Sequence, residues 1–222
     1  MFPLLIAPAS SRSRRGPPGG TLLRSIAVVA LIGVTVFAAA APGAGIDLRV
    51  HRTWMPEAYP SSYAIGFPSG LNFCFDPIRG NLIYAWQGDY VDLSPTVNGK
   101  LPRDAVIQGK KFYQSLTTSG FRTGNGDAEP EIRFRSFRVR RGVPEFEYDV
   151  DGVRVWEAIR PSADGTSFVR EFHVTTPDRS VSYRSSDPTH VSIQSGTAKW
   201  IGNTLSLPGN STVVFSVPLP RS

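Results

Sequence analysis

From Ile46 onward, apolar residues alternate with polar ones or gather in short runs, and each run is bounded by Gly, Pro, Asn or Asp. Period-two alternation puts successive side chains on opposite faces of an extended chain, so this pattern predicts strands. No stretch keeps the spacing of an amphipathic helix. Early strands are expected at 63–67, 71–75, 82–86 and 89–93, with a turn-rich connection at 76–81.

Two dipeptides set the register in the middle of the chain. Arg141-Gly142 and Asp151-Gly152 have the form of two-residue hairpin turns, in which glycine supplies a positive φ. With Asp151-Gly152 as the turn, Val150 faces Val153, Asp149 faces Arg154, Tyr148 faces Val155 and Glu147 faces Trp156. With Arg141-Gly142 as the turn, Arg138 faces Glu145 and Phe137 faces Phe146. Opposite charges and aromatic partners meet in both registers, which is the pairing that stabilises antiparallel ladders. A three-stranded meander over 132–159 follows, with a fourth strand at 167–175. Further strands are expected at 180–183, 190–193, 197–201, 204–207 and 212–217, the fourth entered through a tight turn at Gly202-Asn203. Ten or more short strands do not make one stable flat sheet, so the fold class is all-β, an antiparallel two-sheet sandwich. Residues 98–131 are the exception. They are rich in Gly, Thr and Lys, only Val106-Ile107 and Phe112-Tyr113 look anchored, and a long binding loop is expected there.

The first 44 residues have a different character. A basic, Pro/Gly-rich lead ending at Arg24 precedes residues 26–41, sixteen positions without a charge, and Ala38 to Ala40 supply the small residues of a cleavage site. Sixteen residues fall short of the ~20 that span a bilayer. A cleaved signal peptide is expected over an N-terminal membrane anchor, and either places residues 45–222, one domain, outside the cytoplasm as a periplasmic, extracellular or outward-facing protein.

Charge then removes one function class. The chain of 222 residues carries 24 Lys+Arg against 18 Asp+Glu, but four of the arginines lie in the leader, which has no acid. The downstream domain is nearly neutral, and a nucleic-acid partner is not expected. One cysteine and three scattered histidines provide neither a disulfide framework nor a cysteine/histidine metal site, and no cofactor is expected.

Four segments, Arg52-Thr-Trp-Met-Pro56, Ala64-Ile-Gly-Phe-Pro-Ser-Gly-Leu-Asn-Phe-Cys-Phe-Asp76, Leu82-Ile-Tyr-Ala-Trp-Gln-Gly-Asp-Tyr-Val-Asp92 and Pro144-Glu-Phe-Glu-Tyr-Asp-Val-Asp-Gly-Val-Arg-Val-Trp-Glu157, resemble a family of exported bacterial domains. That family is associated with planctomycete and verrucomicrobial proteins, often beside c-type cytochrome modules. The resemblance covers most of residues 49–175. It implies a secreted β-sandwich and no agreed reaction. This chain lacks Cys-x-x-Cys-His, so haem is not bound covalently and any electron-transfer role is indirect.

Three groups of residues bear on chemistry. Glu145, Glu147 and Asp149 alternate along one strand, as in the acidic strand of jelly-roll glycanases, but Arg138 and Arg154 stand opposite and would lower carboxylate pKa values that an acid catalyst needs raised. Arg133, Arg135, Arg138, Arg140 and Arg141 interleave with Phe134, Phe137 and Val139. The apolar phase slips between Phe134 and Phe137, which implies a bulge near Arg135-Ser136 and splits the arginines between two faces. Finally, Trp86 with Asp76, Asp89 and Asp92 combines an aromatic platform with carboxylates, as a sugar site does. The competing reading makes Trp86 core, in phase with Leu82 and Tyr84, and makes the aspartates turn caps. Cys74 is expected to be a half-buried thiol and His173 an exposed strand position; His51 and His190 belong to no motif.

These features point to an exported, non-catalytic binding or accessory domain for a glycan or another cell-envelope component, including an envelope protein. The expected site is a concave surface bordered by Trp86, Asp89 and part of 98–131. The alternatives are a carbohydrate-active enzyme using strand carboxylates and a structural partner of a periplasmic redox complex.

Overall fold

The computed structural model describes residues 47–98, 103–115, 120–123, 128–175, 179, 181–185, 192–195 and 197–219, all within one unit spanning 43–222. The leader, its cleavage position and His190 lie outside the described residues. The chain begins with β1 Arg49–Thr53, β2 Ser62–Gly66, β3 Leu71–Asp76, β4 Asn81–Asp92 and a helical turn, α1 Ser94–Val97. It continues through β5 Val106–Gln114, β6 Phe121–Thr123, β7 Ile132–Arg140, β8 Val143–Val150, β9 Val153–Pro161 and β10 Ser167–Val174. The last strands are β11 Val181–Arg184, β12 Ser192–Ser195, β13 Lys199–Ile201, β14 Thr204–Leu207 and β15 Ser211–Pro218.

The meander has the register that its turns dictate. Arg141 (φ 52°) with Gly142 (φ 76°), and Asp151 (φ 48°) with Gly152 (φ 79°), place two consecutive residues at positive φ. This is the type I′ turn whose twist matches antiparallel strands. Val150 pairs with Val153, Glu147 with Trp156, Arg138 with Glu145 and Phe137 with Phe146. The bulge falls at Arg135, between Phe134 and Ser136.

The strands form three antiparallel sheets rather than two. Their orders are β1-β2-β3-β4-β5, β12-β15-β10-β9-β8-β7 and β13-β14-β11-β6. The third sheet exists because β6 pairs with Val181 to Tyr183 and draws β11, β14 and β13 away from the other two. One apolar core joins the three: Phe75 of the first sheet stacks on Phe146 of the second at 3.8 Å and 12°, while Phe121 and Tyr183 of the third approach Phe172 at 5.5 and 5.3 Å.

Three sequence expectations change. Residues 98–131 contain the nine-residue β5 and the three-residue β6, so the segment expected to be one long loop carries two strands. β5 is an edge strand, and the Gln, Gly and Lys residues that make it look like loop are those that keep a further strand from adding. Gly109 is needed there for another reason: a Cβ would sit 2.4 Å from the Gln87 carbonyl oxygen. β1 escapes the hydrophobic pattern because Arg49, His51 and Arg52 are exposed at the opposite edge. The strands expected at 82–86 and 89–93 are one strand, β4, with a bulge at Ile83, since Cys74 pairs with Tyr84 and Phe75 with Leu82. The bulge inverts the phase. Leu82 therefore joins the main core, while Tyr84 and Trp86 turn to the sheet's other face.

That other face is also buried. Met55 and Ala58, with Ala105, close over Ala64, Cys74, Tyr84, Trp86 and Tyr90, held by Ala105 N–H donating to Trp54 O at 2.8 Å and Tyr84 Oη donating to Pro56 O at 2.9 Å. Every residue of β2 and β3 is consequently buried. Cys74 is fully rather than half buried, and burial pushes its thiol well above the usual range.

Among the described residues, the main core contains one ion pair. Glu157 and Arg170 are both at 0% exposure; Oε1 of Glu157 accepts from Nε of Arg170 at 2.7 Å, and Nη2 lies 2.6 Å away. Oε2 accepts from Tyr148 Oη at 2.8 Å, and the guanidinium lies against the Phe172 and Tyr183 rings at 4.9 and 4.7 Å. Burial pushes the Glu157 carboxyl above the usual carboxylate range, with Arg170 and Tyr148 pulling back against it.

Candidate binding face of the six-stranded sheet

Trp86 is fully buried, and its Nε1 donates to the Asp89 and Tyr90 carbonyls at 3.0 and 3.1 Å. It has no face open to a sugar, so the aromatic platform is not at Trp86. Asp76 is also buried: Oδ1 accepts from Ile78 N–H at 2.9 Å and Arg79 N–H at 3.2 Å, and Oδ2 from Tyr59 N–H at 3.0 Å. It builds the β3–β4 turn and fastens the covering segment to it. Asp92 faces Ser94 at the start of α1, and hydrogen bonding by the Ser94 side chain, then by its N–H at 2.8 Å, lowers the Asp92 pKa. Asp89 is exposed and lines a cleft of about 280 Å³ with Asp47, Arg49, Asn72 and Tyr90. Asn72, the amide facing this cleft, already donates to the Gly70, Gly88 and Asp89 carbonyls at 2.8, 3.1 and 3.3 Å. The structure thus separates the four residues: one lines a cleft, two hold turns and one is core.

The acidic strand lies on the outer face of the second sheet, where its carboxylates are paired. Arg154 donates to Asp149 at 2.5 Å and to Glu147 at 2.6 Å, Arg135 also bonds Asp149, and Arg138 donates to Glu145 at 2.5 Å. Arg154, then Ser136, hold Glu147 below the usual carboxylate range despite partial burial. Burial works to raise Asp149, but Arg135 and Arg154 outweigh it and hold it low as well. Neither residue meets the requirement of a general acid at neutral pH. Among the described residues no three His, Cys, Asp or Glu side chains are grouped so as to hold a metal ion.

An aromatic side chain does stand on this outer face. In β9 the apolar phase is Val153, Val155 and Ile159, all buried in the core, and the other phase is Arg154, Trp156, Ala158 and Arg160. Trp156 is half-buried, and Nε1 lies 3.4 Å from Glu145 Oε2 as a donor. Among the described residues no ring or guanidinium stacks on its indole. Next to it, the small Ala158 leaves a cleft of about 280 Å³ lined also by Arg140, Arg141, Val143, Glu145, Arg160 and Glu171. Val143 and Arg160 also line an apolar depression of about 260 Å³ with Phe67, Pro68 and Pro161, and Phe67 and Pro68 in turn line the Asp89 cleft. Consecutive sharing of residues makes a groove with polar ends and an apolar waist. Sequence reasoning passed over Trp156, although its signal is an indole in the polar phase of an alternating strand. His173 is on the same face, half-buried, with Nδ1 2.8 Å from Thr212 Oγ1.

No family model and no curated protein matches the chain. Among solved structures, the crystal structure of YidC from Thermotoga maritima is similar at 13% identity and a TM-score of 0.43, covering 78% of this chain and 51% of that one. The chain spans about half the length of that protein. A likeness this distant says nothing of what the chain binds.

Proposed function

We propose that the chain is an exported, non-catalytic binding domain whose sandwich-like body presents a site for a glycan or another envelope component on the outer face of the six-stranded sheet. The observation that carries this reading is the half-buried Trp156 indole, turned away from the core beside a cleft lined by guanidinium and carboxylate groups. A sugar ring offers an apolar face to such an indole and a circle of hydroxyls to the surrounding charged groups. The pairing of Glu145, Glu147 and Asp149 with arginines supports binding over hydrolysis. Export is supported by the leader, and an accessory role by the resemblance to exported domains found beside cytochrome modules.

The test is a glycan array probed with the wild-type chain and with Trp156→Ala. Wild-type binding that disappears in the variant at unchanged melting temperature is the expected result. Array binding that survives Trp156→Ala removes the site from this face, and release of reducing sugar from array hits would make the protein an enzyme.

A further inference from the structure

We propose that the Trp156 cleft selects carboxylated sugars, with Arg140, Arg141 and Arg160 as the groups that recognise the carboxylate. This rests on the glycan reading above and names the class of glycan.

The charges around the cleft do not cancel locally. Glu145 is already taken by Arg138 at 2.5 Å and by the Trp156 Nε1. Glu171 faces Arg160 Nη1 at 3.5 Å, too long to be a well-formed hydrogen bond, and that nitrogen, shielded from solvent, has no hydrogen-bond partner among the described residues. A guanidinium in this state gains by turning toward an incoming anion. Arg140 and Arg141, on the opposite rim, make no ion pair with any described residue. The cleft therefore carries guanidinium charge in excess of its carboxylates beside a half-buried indole.

The turn adds a second observation. Arg141 occupies the first central position of a type I′ turn at φ 52°, where Asn, Asp or Gly is favoured. At this position, which disfavours its side chain, Arg141 sets a third guanidinium on the cleft rim. A guanidinium presents a planar fork that matches the planar carboxylate of a uronic acid, while the indole takes the ring. An extended polyanion bound by charge alone fits the face less well, because beyond the cleft it meets Glu147 and Asp149 held in their ladder with Arg154.

The experiment is a glycan array printed with uronic-acid glycans, the same glycans after reduction of the carboxyl groups to alcohols, and sulfated neutral glycans. It is probed with the wild-type chain and the Arg140→Gln/Arg141→Gln variant, each checked for an unchanged melting temperature. Hits are expected on the uronic-acid glycans, weakened about tenfold or more by carboxyl reduction, the loss expected for a missing charge-assisted bond. The double variant, which keeps Arg160, is expected to lose most of that discrimination, and full discrimination retained in the variant overturns the role given to Arg140 and Arg141. Equal wild-type binding to native and reduced glycans overturns the charge selection and leaves the glycan site standing. Preference for sulfated over carboxylated glycans overturns it as well. Absence of hits on every glycan removes the glycan reading and this inference with it.

Discussion

Replacing Arg170 with Met removes the charge from the core ion pair while keeping an unbranched side chain of similar reach. In the native fold the guanidinium bonds Glu157 at 2.7 and 2.6 Å and lies within 4.9 Å of two aromatic rings, with both charged side chains at 0% exposure. Met keeps the apolar stem but leaves a carboxylate whose remaining described donor is Tyr148. Removing one member of a buried pair costs about 3–5 kcal/mol, because the other is left buried and uncompensated. For a domain of this size that corresponds to a fall in Tm of about 6–20 °C.

The pH dependence gives the sharper check. Burial already raises the Glu157 pKa, and loss of Arg170 removes the charge that opposed the rise. A carboxyl whose folded pKa lies above its unfolded value stabilises the fold at low pH and loses that contribution as pH rises through the folded pKa. The deficit of Arg170→Met relative to wild type is therefore expected to be largest at pH ~8 and to shrink toward pH ~5, as Glu157 takes a proton. Urea melts of both proteins across that range measure it, together with Arg170→Met/Glu157→Leu, which removes both charges and is expected to recover most of the loss. A deficit below about 1 kcal/mol at pH ~8, or one that is flat with pH, refutes the claim that an uncompensated buried carboxylate is the cause.

Three further outcomes follow from the structure and a fourth from the leader sequence. Gly152→Val forces a β-branched residue to φ 79° in the meander turn and is expected to cost about 1–3 kcal/mol in thermal denaturation; an unchanged Tm would contradict the turn geometry. Trp86→Ala empties a fully buried site and is expected to cost about 3–5 kcal/mol, in contrast with Trp156→Ala, so the two melting curves separate core from platform. Cys74, buried and with its thiol pushed up, is expected to react with a thiol reagent only on unfolding; rapid labelling of native protein would show the covering segment to be open. Export is expected to leave a mature N-terminus near Ala41, and intact mass of the membrane fraction retaining residues 1–222 would establish an anchor instead.

The meander was legible because every clue agreed: two glycine turns, two charge pairs across strands, and an aromatic slip that located the bulge at Arg135. β5 was not, because the features that protect an edge strand from aggregation are those that remove its apolar alternation. Trp86 is core, as the competing reading had it and not as the platform reading had it, but it lies on the opposite face from Leu82 for a nonlocal reason. A bulge at Ile83 inverts β4, and residues 54–58 with Ala105 cover the face it then occupies; no pattern within β4 announces either event. The third sheet depends on pairing Phe121 with Tyr183, more than fifty residues downstream, which strand propensity alone does not specify.

β9 ties these observations together. Its alternation sets an acid, Glu157, among the inward residues and an indole, Trp156, among the outward ones. A one-residue slip would reverse both and satisfy each side chain's ordinary preference. The slip is opposed by Val153, Val155 and Ile159, which would leave the core, by the two-residue turn at Asp151-Gly152, and by Arg170, whose charge in β10 has its partner only when Glu157 points inward. Phe172 pairs with Glu157 and His173 with Trp156 in that register, so the buried ion pair and the half-buried outward indole are two sides of one alignment. Local preference overridden at two adjacent residues is concentrated where function or specificity requires it. On this reasoning Arg170→Met, by loosening the register of β9 against β10, should weaken the glycan binding proposed for Trp156, read on the same array, even under conditions where the domain remains folded.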